Sequence, residues 1–102
     1  MPTKITVIFD NPVDAETFEA GYPDQVALAK KMPGVERVDS AKVFPKEDGS
    51  ETPAHRLLDL HFPNYEVASE AVTTEQAKAF VGKVKELATG GVRIVFTDVE
   101  EV

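Results

Sequence analysis

From His55 to Phe62 the residues alternate in character. Leu58, Leu60 and Phe62 fall on one side of an extended backbone, and His55, Leu57, Asp59 and His61 on the other. Side chains of a strand point alternately to its two faces, so this segment reads as a strand with one face in a core. Two further segments share the pattern. Lys4 to Phe9 sets Ile5, Val7 and Phe9 against Lys4, Thr6 and Ile8, and Val92 to Val99 sets Val92, Ile94 and Phe96 against Arg93, Val95 and Thr97. Val35 to Phe44 alternates only weakly, as suits an edge strand.

Helical spacing fills the gaps. Asp10-Asn11-Pro12 ends the first strand, and Asp14 can cap a helix by accepting from free N–H groups of its first turn. That helix runs to about Met32, with Phe18, Tyr22, Val26 and Ala29 as its buried stripe and Pro33-Gly34 as its stop. Pro23 removes one hydrogen bond, which predicts a kink or two short helices meeting at Gly21–Pro23. A second helical region, in two pieces, follows the third strand. Asn64 caps the first piece, and Thr73 with Gln76 has capping-box spacing for the second. There Ala77, Phe80, Val81 and Val84 form the apolar stripe, and Gly90-Gly91 stops it.

The resulting order, β-α-β-β-α-β, predicts an α+β fold: a ferredoxin-like four-stranded antiparallel sheet with both helices on one face. The helices need an apolar partner, and the face carrying Ile5, Val7, Phe9, Leu58, Leu60, Phe62, Ile94 and Phe96 supplies it. The opposite face is mixed, with Ile8, Leu57 and Val95 among Thr6, His55, Asp59, His61, Arg93 and Thr97. Four strands of ordinary length give it about 400 Å². Solvent and a subunit interface would suit it equally.

A chain of 102 residues fits a single domain, and no internal repeat or linker divides it. With no cysteine there is neither a disulfide nor a thiolate site. A net charge of −7 argues against binding nucleic acid, which needs cations to neutralise phosphates. No apolar run is long enough to span a bilayer. The opening MPTKITVIFD lacks the features of a signal peptide, so a cytoplasmic location is expected. There is no Ser/His/Asp order, phosphate-cradling glycine loop or dinucleotide fingerprint, and no cofactor is expected. His55 and His61 stand about 20 Å apart along one strand, too far to share a metal, so none is expected.

The segment FEAGYPDQVALAKKMPGVERV, then PAHRLLDLHF and ATGGVRIVFTDVEEV, resembles the EthD family, named after a protein of ethyl tert-butyl ether degradation. The resemblance covers nearly the whole of residues 1–102. It implies a dimeric α+β barrel, in which two sheets pack face to face with helices outside. It also implies a ligand pocket between each sheet and its own helices. Such a protein would bind a small apolar organic molecule, in degradation or tailoring of small organic compounds. The alternatives are a cofactor-independent enzyme of monooxygenase, cyclase or dehydratase type, and a non-catalytic accessory subunit of an oxygenase system. Partners would then be a second copy and a small ligand.

On this resemblance Tyr22 and Gln25, three apart on the first helix, are polar anchors of a pocket lined by Phe9, Leu58, Leu60, Phe62 and Phe80. His55, Asp59, His61 and Arg93 become candidates for the sheet-face interface. One departure bears on activity. Family members commonly carry a histidine where this chain has Gln25, and an amide cannot serve as a general acid or base. No residue is therefore assigned a catalytic role.

Overall fold

The computed structural model describes residues 1–102. The elements run β1 (Thr3–Phe9), α1 (Ala15–Lys30), β2 (Arg37–Lys42), β3 (Arg56–Phe62), α2 (Tyr65–Ala71), α3 (Glu75–Leu87) and β4 (Val92–Asp98). The strands form one antiparallel sheet in the order β2-β3-β1-β4. Val7 lies between Leu58 and Ile94, and Ile5 between Leu60 and Phe96, so the three alternating strands keep their apolar residues in one face. The helices cover that face. Val7, Phe9, Leu58, Leu60 and Phe62 are fully buried beneath them, each worth about 1.5–3 kcal/mol relative to exposure.

The cover is uneven. α1 packs against β2 and α3, and α2 against β1 and β3. Edge strand β4 receives less cover, and Ile94 and Phe96, expected in the core, stay 44% and 43% exposed. Parity assigned them to the correct face, but the helices lie towards the other side of the sheet. On α3 the buried line is Ala77, Phe80, Val84 and Leu87, while Val81, expected in the stripe, is 39% exposed.

Caps and turns follow local chemistry. Asp14 accepts from the N–H of Glu16 at 3.0 Å and of Thr17 at 3.4 Å, and Asn64 accepts from Val67 at 2.9 Å. The cap of α3 is Thr74, not Thr73, with its hydroxyl accepting from Ala77 at 3.2 Å. Thr73 instead donates to the Glu70 carbonyl at 2.7 Å and closes α2. α1 is one continuous helix through Pro23, which overturns the alternative of two short helices. Proline there costs only the bond to the carbonyl of Glu19, four residues back. Before β4, a Cβ on Gly90 would overlap the Asn11 carbonyl, and Gly91 has φ 110°, which favours glycine. No helix is long and apolar enough to cross a membrane.

Candidate functional site

Phe18, Tyr22, Gln25 and Ala29 are the buried residues of α1, the face it turns to the sheet. Phe18 meets Phe9 edge-on at 5.1 Å between ring centres and stacks on Tyr22 at 5.5 Å. Tyr22 is 5% exposed, and its hydroxyl lies 2.8 Å from Ser40 Oγ. Burial raises the Tyr22 pKa, so the phenol keeps its proton at neutral pH and can donate it in a hydrogen bond. Gln25 is fully buried. Its Nε2 donates to the Phe80 carbonyl at 3.1 Å, but its Oε1 has no partner. Phe9, Leu58, Leu60, Phe62 and Phe80 pack around these groups in one continuous core.

A polar cluster closes the end of this layer nearest β2. Arg56 shares the parity of Leu58 and therefore points to the helix side. Its Nε and Nη2 donate to the two oxygens of Glu19 at 2.9 and 2.7 Å, and its guanidinium lies 4.4 Å from the centre of the Tyr22 ring. His55 Nε2 is 3.0 Å from Glu19 Oε2, and Lys42 Nζ is 3.9 Å from Oε1. The Arg56 hydrogen bonds, helped by His55 and opposed by burial, lower the Glu19 pKa to about 2. Glu19 is thus a fixed anion near neutral pH, and its hydrogen bond likewise raises the pKa of Arg56.

His55 is the main correction to the predicted site. Expected on the face away from the helices, it lies on the helix side, its ring edge-on to Phe18 at 4.9 Å. Pairing of β3 begins at Arg56, and the backbone bends at His55, which donates its N–H to the Phe9 carbonyl at 2.7 Å. Strand parity no longer governs a residue beyond the strand. The other three interface candidates do lie on the far face. Asp59 accepts from Thr6 at 2.5 Å, His61 Nε2 is 3.0 Å from Asp39, and Arg93 donates to Asp10 at 2.8 Å.

Sequence reasoning passed over Glu19, Ser40, Lys42 and Arg56. A signal for one of them was available. Arg56 continues the parity of Leu58, Leu60 and Phe62, and a cation at the margin of an apolar face needs a paired anion.

Two open cavities flank the layer. A groove of about 260 Å³ between α1 and α3 is bordered by Val13, Thr17, Gly21, Lys83 and Leu87 and reaches the Phe18 ring. A second, of about 450 Å³, lies beside Tyr65 and Phe96 at the uncovered flank of β4, away from the polar cluster.

No protein-family model matches this sequence. An uncharacterized 11.0 kDa protein in the thcB-thcC intergenic region of Rhodococcus erythropolis is 29% identical over 100 residues, covering 97% of this chain and 96% of that one. A crystal structure of an EthD family protein from Bacillus halodurans matches 98% of this chain and all of its own length, with a TM-score of 0.87 at 19% identity. The chain has the EthD fold. Two further solved structures share this fold at lower similarity. A dimeric ferredoxin-like protein of unknown function from Jannaschia has a TM-score of 0.70 at 12% identity, over 97% of this chain and 100% of that one. SnoaB, a cofactor-independent oxygenase from Streptomyces nogalater, has 0.66 at 13% identity, over 99% and 94%.

Proposed function

We propose that residues 1–102 form a single EthD-like domain, acting as a cytoplasmic homodimer, that binds a small, mainly apolar organic molecule between α1 and the sheet. Its service is the degradation or tailoring of such compounds. The observation that carries this reading is Gln25. A buried acceptor without a partner costs about 1–3 kcal/mol, so a fully enclosed Oε1 calls for a donor that the chain does not supply. A ligand hydroxyl in the aromatic layer beside Tyr22 would meet it, with apolar burial supplying most of the affinity. The groove between α1 and α3, which Phe18 borders, is the proposed way in. Dimerisation draws support from the sheet face carrying Ile8, Leu57 and Val95, which no helix covers, and from the dimeric relative of like fold.

A cofactor-independent enzyme is the second reading, favoured by the hydrogen-bonded Glu19–His55 pair beside Tyr22. Calorimetric titration with benzyl alcohol and with its methyl ether tests the ligand reading. The parent should bind the alcohol several-fold more tightly, about 1 kcal/mol for the donated hydrogen bond, and Gln25→Met should erase the difference. His61→Ala should behave as the parent does. If His61→Ala abolishes binding while Gln25→Met and Tyr22→Phe leave it intact, the site is on the other face of the sheet.

A further inference from the structure

We propose that Glu19 and His55 form a proton-accepting pair at the polar end of the ligand layer. It acts on a small acidic phenol or enolisable carbonyl compound, whose oxygen is held by Tyr22 and Arg56 as it becomes an anion. The inference rests on a ligand occupying that layer, and it supplies the proton chemistry that Gln25 lacks.

The geometry orients the ring. Glu19 is an acceptor only, so His55 donates Nε2–H to it across 3.0 Å, which leaves the lone pair of a neutral imidazole on Nδ1. Nδ1 makes no hydrogen bond within the chain and is not sealed from solvent. A carboxylate that fixes the tautomer and offsets the charge of the protonated ring is what a general base requires. Glu19 cannot take the proton itself near neutral pH, because Arg56 holds it ionised. Imidazole is the residue type in the cluster suited to that exchange.

The surroundings favour an anion. The cluster draws Glu19 and Tyr22 from α1, Ser40 and Lys42 from β2, and Arg56 from β3, with Phe9 of β1 behind the rings. Two permanent cations, Lys42 and Arg56, face one carboxylate, leaving one positive charge before the histidine is counted. Tyr22 keeps an O–H to donate, and Ser40 can take either role in its present bond. In the proposed step the substrate O–H or C–H bond breaks and an Nδ1–H bond forms. The electron pair stays with the substrate as phenolate or enolate. Where the carbonyl compound is β,γ-unsaturated the enolate is extended, and return of the proton to its γ carbon completes an isomerisation, so no oxidant, reductant or further reactant enters.

The test uses 4-nitrophenol, whose phenolate is coloured, titrated with the whole protein over a pH series. Bound to the parent, the dye should stay ionised about one pH unit below the point where the free dye does, a tenfold bias. His55→Gln, which keeps a hydrogen-bonding amide beside Glu19, should bind the dye without that bias. His61→Ala should match the parent, and loss of the bias there would overturn the proposal. Nitrogen NMR of the parent gives a reading that needs no variant: the His55 ring should become doubly protonated when the dye binds. If the dye binds with the same ionisation in parent and His55→Gln, and the ring is unchanged, the pair only clamps α1 to the sheet. The proposal then fails while the ligand reading stands. If the parent binds no dye and neither benzyl compound, both fail together.

Discussion

Replacing Gln25 by methionine removes a fully buried amide and fills the same space with an unbranched apolar side chain. The parent side chain gives one hydrogen bond, from Nε2 to the Phe80 carbonyl at 3.1 Å, worth about 1 kcal/mol net. Losing it should not strand that carbonyl, because Phe80 lies inside α3 where the helical ladder provides a partner. Against this stands the unpartnered Oε1, whose burial costs about 1–3 kcal/mol. The added apolar contact of the thioether end contributes about 0.8 kcal/mol more. The sum predicts a variant more stable than the parent by about 1–3 kcal/mol. Tm should rise by about 4–8 °C for each kcal/mol in a domain of this size. Urea and thermal melts at one fixed protein concentration would measure it, since dimerisation makes Tm concentration-dependent. A variant less stable than the parent by about 1 kcal/mol would mean that Oε1 is already partnered, for instance by a buried water, and the reasoning would fail. A stabilised variant that has also lost the preference for an alcohol would show stability given up for binding.

Two further outcomes follow from the charges and the open face. Glu19 has a folded pKa of about 2 against an ordinary 4.5, so its stabilisation is present above about pH 4.5 and lost as pH falls towards 2. The parent should exceed Glu19→Gln by about 1–2 kcal/mol near neutral pH, a screened figure for a partly exposed bidentate pair. Urea midpoints should converge in that acidic window, and a pH-independent difference would sink the assignment. On the outer face, Leu57 neighbours Ile8 and Ala41, so Leu57→Arg should turn a sedimenting dimer into a folded monomer, whereas an unchanged dimer would place the interface elsewhere.

Most of the fold was legible because three strands obey one periodicity. Val7, Leu58 and Leu60 are buried where alternation puts them. The misreadings mark where a local rule stops. Ile94 and Phe96 sit on the correct face, but how far the helices reach across an edge strand depends on packing between distant elements. Thr73 and Thr74 are both competent caps and both donate to carbonyls at the end of α2, but Thr74 also accepts from the Ala77 N–H and so caps α3. His55 lies one residue outside β3, where the alternation that places Leu57 no longer applies.

The candidate site was the least legible part, for a related reason. Glu19 and Arg56 are 37 positions apart, and nothing local to either predicts a bidentate pair. Yet their pairing accounts for features that looked unconnected. It holds α1 over β3, brings the Arg56 cation onto the Tyr22 ring and turns the His55 ring inward, and it does so one turn before Pro23. Proline leaves the Glu19 carbonyl without its helical partner, so the backbone at that residue is less tied just where its side chain carries the contacts. Gln25 turns an amide, which exchanges no proton near neutral pH, into the buried layer. The bend before β3 places a titratable imidazole against the same aromatic cluster, and if the cleft performs proton chemistry, the reacting nitrogen is on the sheet side of the layer and not on α1.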